Sequence, residues 1–103
     1  MYQELPDNAN KVQFKALLSE TIAIIRSEVE KSNDELFNVI LMQLEDIKEN
    51  IVDKQILTDE DEINDRYTLG AVAIKNFEED PEMESRLCDI FGGAIEYASM
   101  PDE

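Results

Sequence analysis

The chain contains no histidine and no tryptophan, and Cys88 is its single cysteine among 103 residues. Without histidine, the sequence lacks the usual general base, the usual proton shuttle and the commonest transition-metal ligand. Neither a Ser-His-Asp nor a Cys-His arrangement can be assembled, and a zinc site of ordinary ligand types is excluded. A lone cysteine cannot form an internal disulfide, which favours a reducing compartment. These absences predict a protein that is not an enzyme and that binds no cofactor or metal.

Positive charge is scarce as well. Lys and Arg number 9 against 25 Asp and Glu, so the formal net charge is −16. Contacts to phosphate require clustered Lys and Arg, which excludes nucleic acid as a ligand and disfavours an anionic membrane surface. The longest uncharged run, Leu36 to Leu44, is nine residues, about half of a bilayer span. With no secretion signal at its start, the sequence predicts a cytoplasmic protein without a membrane segment.

The apolar residues, 43% of the chain, are spaced for helices and suffice for one core. We therefore expect a single all-α domain over residues 1–103, with a loose lead-in at 1–10 and a frayed tail at 99–103. The first helix is predicted from about Lys11 to Lys31 and the second from about Asp34 to Asp53. Ser32 or Asn33 is expected to cap the second helix, and so short a connection predicts an antiparallel hairpin.

Two further helices are predicted in the second half of the chain. The third is expected to run from an N-cap at Thr58 to Phe77, and to pack through Ile63, Tyr67, Gly70, Ala71, Ile74 and Phe77. The fourth begins with the helix-start pair Asp80 and Pro81, and its apolar spacing favours continuation beyond Gly92 and Gly93. The predicted architecture is an up-down antiparallel bundle of four helices, with three helices plus a short fourth as the alternative.

The second helix carries more apolar residues than one neighbouring helix can cover. Leu36, Val39 and Met42 lie outside its main stripe. An exposed apolar patch of this kind usually marks an interface. We therefore consider these residues a candidate homodimer face.

Two acidic clusters are the sharpest charge feature of the sequence. One comprises Asp59, Glu60, Asp61, Glu62 and Asp65, and the other comprises Glu78, Glu79, Asp80, Glu82 and Glu84. Both lie at predicted helix starts, where one or two acids stabilise the helix dipole, but five repel one another. The segment from Asp59 to Gly70 does not form a calcium loop, because its positions five, six and twelve are Ile63, Asn64 and Gly70. The clusters are therefore candidate partner-binding residues.

A small, acidic, helical chain with these two clusters and no catalytic motif resembles the immunity proteins that bacteria keep against their own secreted toxins. The resemblance covers the whole chain in character. It implies a cytoplasmic protein that binds one toxin tightly, often through acidic residues placed against a basic active site, and frequently as a dimer. The leading hypothesis is therefore neutralisation of a basic protein partner, a toxin acting on nucleic acid or nucleotides. Two other functions remain open: a DNA mimic or regulator that occupies a nucleic-acid-binding site, and a structural or adaptor bundle whose acidity serves solubility.

Overall fold

The computed structural model describes residues 2–103, which form helices and loops without a strand. The helices are α1 (Lys11–Ser32), α2 (Glu35–Ile47), α3 (Glu60–Arg66), α4 (Leu69–Asn76) and α5 (Pro81–Glu96). A π-helical turn, Lys48–Asp53, extends α2, and a 3₁₀ turn, Tyr97–Ser99, follows α5. The all-α prediction is confirmed. The prediction of four helices is not, because five are present.

The first hairpin begins with a fully formed capping box. The Asn10 side chain accepts the Gln13 N–H at 2.8 Å, and the Gln13 side chain accepts the Asn10 N–H at 2.9 Å. These bonds satisfy donors that a helix start leaves free. The helix ends at Ser32, and the C-cap residue Asn33 adopts a left-handed conformation (φ 57°). The apolar spacing of this segment predicts a stripe from Phe14 to Val29. Val29 is only half-buried, and the buried residues of the stripe are Phe14, Leu17, Leu18, Thr21, Ile22 and Ile25.

The second helix returns along the first, as the short connection predicts. The guanidinium of Arg26 lies 3.1 Å from the carboxylate of Glu45, and a groove further along is lined by Lys15 of α1 and Val52 beyond α2. The cap of α2 is Asp34, whose carboxylate accepts the Leu36 N–H at 2.9 Å. Neither Ser32 nor Asn33 is the cap, which corrects that expectation.

The predicted third helix is broken into α3 and α4. Tyr67 is extended (φ −116°, ψ 141°), and α3 is capped by Asp59, not Thr58. The break shifts the helical phase, so that Leu69, Ala73 and Phe77 are buried after it. Ala71 and Ile74 are exposed, with Ile74 at 66%, so their predicted place on the packed face is wrong. The apolar spacing is compatible with one long helix, but in the structure the helix breaks at Tyr67, whose hydroxyl donates to Asp46.

The second hairpin, formed by α4 and α5, uses small residues for close packing. A Cβ on Gly70 would lie 3.2 Å from the ring of Phe91 in α5, so the absence of a side chain at Gly70 lets this ring pack closely against α4. Asp80 caps α5 by accepting the Met83 N–H at 3.2 Å, and Pro81 occupies the first turn as predicted. The predicted continuation of this helix past Gly93 is confirmed.

The segment before α1 lies against α5. Asp89 accepts hydrogen bonds from the Tyr2 hydroxyl and the Leu5 N–H, and the Tyr2 ring stacks on the guanidinium of Arg86 at 4.6 Å. Arg86 is 6% exposed and joins α5 to Glu20 of α1 by an ion pair at 2.5 Å. The segment from Tyr2 to Leu5 is thus held on α5, and Arg86 links α5 to α1.

Candidate partner-binding surface

The acidic cluster of α3 is fully presented to solvent. Asp59, Glu60, Asp61, Glu62 and Asp65 are all exposed. Within this group the carboxylate of Asp59 caps the helix, accepting the Glu62 N–H at 3.1 Å. Within residues 2–103, no Lys or Arg forms an ion pair with any of the five. Their negative charge is therefore not neutralised by this part of the chain.

The second acidic cluster is partly committed to the fold. Asp80 caps α5, and Glu82 accepts the Tyr2 N–H at 2.8 Å and lies 4.0 Å from Arg86. Glu84 is half-buried, whereas Glu78 and Glu79 are exposed. Over the described residues, no hydrogen bond or ion pair joins this cluster to that of α3. Of the two clusters, that of α3 has more charge free for a partner.

A polar network on α2 fixes the position of α3. The carboxylate of Asp46 accepts two hydrogen bonds from Arg66, at 2.7 and 2.9 Å, one from the Tyr67 hydroxyl at 2.5 Å and one from Asn50 at 2.9 Å. The Arg66 hydrogen bond is the main cause that lowers the pKa of Asp46 below its usual value. Burial, and then Asp46, raise the pKa of Tyr67, so the phenol remains a donor. Asp46 therefore binds α3 as a carboxylate.

A second contact fixes the break between α3 and α4. The side-chain carbonyl of Gln43 accepts the Thr68 N–H at 2.9 Å, and its amide donates to the Thr68 hydroxyl at 2.9 Å. Gln43 and Asp46 are three residues apart and share one face of α2. Our sequence reasoning missed both residues. Their signal is two polar positions, three apart, within a helix that is otherwise rich in apolar residues.

The candidate homodimer face is smaller than the sequence suggests. Leu36 is half-buried and packs against the core. Val39 is 37% exposed and Met42 is 71% exposed. Met42 precedes Asp46 by one helical turn, so its side chain borders the contact between α2 and α3.

One groove is lined by the single cysteine of the chain. This groove, of about 500 Å³, lies between residues 5–9 and the second half of α5, and Cys88 is among its lining residues. Burial raises the pKa of the Cys88 thiol, and the nearby Glu84 and Asp89 add to this. A thiol held protonated is a poor nucleophile. Residues 2–103 contain no group of three or more acidic or Cys side chains placed to hold a metal ion.

Comparison with known families decides between the open functions at the level of class. Residues 13–96, which span nearly all of α1 and run to the end of α5, match the family Tsi6. The chain belongs to the Tsi6 family. Tsi6 is a type VI secretion immunity family, so the predicted toxin-immunity class is confirmed and a toxin is the expected class of partner. The matched region of this Tsi6 chain includes both acidic clusters and the network of Asp46.

No curated protein and no solved structure matches the chain. None of the described helices is both long enough and apolar enough to cross a membrane.

Proposed function

We propose that this Tsi6-family chain is a cytoplasmic immunity protein that binds a basic surface of its cognate toxin through the acidic cluster of α3. The observation that carries the proposal is a set of five exposed acids without a cationic partner in the described chain: four lie within the seven residues of α3, and Asp59 is its N-cap. Asp59 and Asp65 lie at the two ends of the cluster.

The helix dipole accounts for only part of this cluster. A carboxylate at a helix start contributes about 0.3 to 1 kcal/mol, and the effect falls off within one turn. Asp59, as the cap, takes most of this role. Each further acid in the first turn adds repulsion from its neighbours, on a chain whose net charge is already −16. A basic partner would offset that repulsion, because its positive charges would attract the same carboxylates.

The way in which α3 is attached to α2 suits a binding surface. Its C-terminal end is held to α2 through Asp46 and Arg66, and the following residues through Gln43 and Thr68. A charged surface on a fixed helix loses little conformational freedom on binding. Complementary charge raises the association rate and suppresses wrong partners. We therefore expect the α3 cluster to speed encounter with the toxin, and the second cluster to contribute less because Asp80 and Glu82 are engaged internally.

The test is the binding kinetics of a charge variant with the toxin that the tagged, unchanged chain captures from its native cell. The variant carries Asp59→Asn, Asp61→Asn, Glu62→Gln and Asp65→Asn. Asn at position 59 still caps the helix, so α3 is retained. At low salt we expect the association rate constant to fall by about tenfold or more, and its salt dependence to flatten.

The matched control removes four exposed acids elsewhere: Asp7→Asn, Glu30→Gln, Glu96→Gln and Glu103→Gln. Both variants change the net charge from −16 to −12, since four negative charges are lost. The control should keep most of the association rate. Equal losses in the two variants would show that overall charge, and not the α3 surface, steers the toxin.

A further inference from the structure

We propose that Val39 and Met42 form an apolar anchor for the same basic toxin, and not the face of a homodimer. This inference rests on the proposed function, since it adds an apolar part to that binding surface. Both side chains are exposed, Met42 strongly at 71% and Val39 less so at 37%. These side chains could contact either a second copy of the chain or the toxin.

The position of the two residues connects them to the surface of α3. Val39 precedes Gln43 by four residues and Asp46 by seven, so the three lie in one row along α2. Gln43 and Asp46 are the residues that hold Thr68 and Arg66. Met42 lies one helical turn before Asp46, beside this row, and its side chain is exposed to solvent. The anchor and the helix that carries the acids are therefore neighbours on one side of the molecule.

The exposed area is too small for a homodimer of ordinary stability. A specific interface buries about 800 Å² on each partner and uses about 20 to 30 residues a side. With Leu36 packed against the core, two apolar side chains remain on this face. Any larger contact centred on them would have to include the charged surroundings of α3.

The negative charge of the chain favours a basic protein over a second copy of the chain as the partner of this face. In a two-fold dimer the same patch faces itself, so each copy would bring its own acidic α3 towards that of the other. Each copy carries a net charge of −16, and like charges set against one another disfavour association. A basic partner carries positive charge, so the acidic residues of α3 that surround this face would attract it. The surface fits a basic protein that has an apolar recess facing Met42.

The two parts of this surface should affect different rate constants. Apolar anchors buried at the centre of an interface govern the lifetime of the complex, whereas exposed charges govern encounter. The variant Val39→Ala with Met42→Ala, measured against the same captured toxin, should raise the dissociation rate constant by about tenfold or more. Its association rate constant should stay within about twofold of that of the unchanged chain.

Three controls make the result specific. Val12→Ala with Ile74→Ala removes comparable exposed apolar groups from α1 and α4 and should leave both rate constants unchanged. Met42→Leu keeps the apolar volume and should retain the slow dissociation when Val39 is intact. Sedimentation of the unchanged chain should show a monomer both at low salt and at high salt, where repulsion is screened.

The outcomes separate this inference from the proposed function. If the double alanine variant dissociates as slowly as the unchanged chain, the anchor is overturned while the charge proposal stands. If the unchanged chain sediments as a dimer and the double variant as a monomer, the face belongs to a second copy and the inference is wrong. If the anchor variant dissociates faster while the α3 charge variant associates normally, the anchor stands and the charge proposal fails.

Discussion

Gly92 and Gly93 are adjacent in α5 but should respond oppositely to substitution by alanine. An alanine inside a helix is favoured over glycine by up to about 1 kcal/mol. A Cβ at Gly92 would meet nothing within 4 Å, so Gly92→Ala should gain most of that amount. A Cβ at Gly93 would lie 2.6 Å from two ring carbons of Phe14 and 3.3 Å from Leu5.

The overlap at Gly93 cannot be relieved cheaply. Ordinary carbon contacts are about 3.5 to 4.0 Å, so the ring of Phe14 would have to move by about 1 Å. That ring is completely buried and lies 5.4 Å from the ring of Tyr97. Overpacking of this kind costs about 1 to 3 kcal/mol, which exceeds the helical gain. We expect Gly93→Ala to lower the free energy of unfolding by about 1 to 2 kcal/mol.

The assay is urea unfolding of both variants and the unchanged chain, followed by circular dichroism. For a domain of this size, the midpoint should rise slightly for Gly92→Ala and fall by about 1 M for Gly93→Ala, with unchanged slopes. Equal stability of the two variants would refute the packing of α5 against α1. It would also show that Phe14 is not confined by Tyr97.

Three further predictions concern the polar contacts. The carboxylate of Asp46 has a lowered pKa when folded, so its stabilisation is present above the ordinary Asp value of 3.8 and is lost as pH falls through the lower folded value. The stability difference between the unchanged chain and Asp46→Asn should thus be constant near neutral pH and shrink below about pH 4; a pH-independent difference would contradict the ion pair. Arg86→Met should lower the free energy of unfolding by about 1 to 3 kcal/mol, because it leaves the buried Thr21 hydroxyl without its partner. Glu20→Gln, which changes an exposed carboxylate, should lower it by less than about 1 kcal/mol. Equal losses of stability for the two variants in thermal unfolding would argue against a structural role for the Arg86–Thr21 hydrogen bond. Tyr2→Phe should reduce the protection of the Leu5 amide in hydrogen exchange by about two- to tenfold, and unchanged protection would show that Asp89 holds the segment without the hydroxyl.

The periodic parts of the fold were predictable because their determinants are local. The stripe of α1 and the helix-start pair Asp80 and Pro81 need only neighbouring residues. The continuation of α5 past Gly93 follows in the same way, since Ala94 keeps the apolar spacing. These features depend on helical geometry and capping, which a single segment specifies by itself.

The break at Tyr67 was not predictable from the same reasoning. On either side of it the sequence is compatible with a continuous helix, and the bonds that stabilise the break come from Gln43 and Asp46, more than twenty residues away. The second acidic cluster illustrates the same limit. Its composition is evident in the sequence, but the engagement of Glu82 depends on residue Tyr2 folding back onto α5.

The most direct test of immunity is whether the chain protects a cell from the toxin. The toxin captured by the unchanged chain would be expressed in the cytoplasm of a host without immunity. It would be expressed alone and together with the unchanged chain, the α3 charge variant or its matched control. We predict that the unchanged chain and the matched control restore growth, and that the charge variant, present at equal level, protects less. Failure of the unchanged chain to protect, with the folded protein present at an equal or higher level than the toxin, would contradict the account.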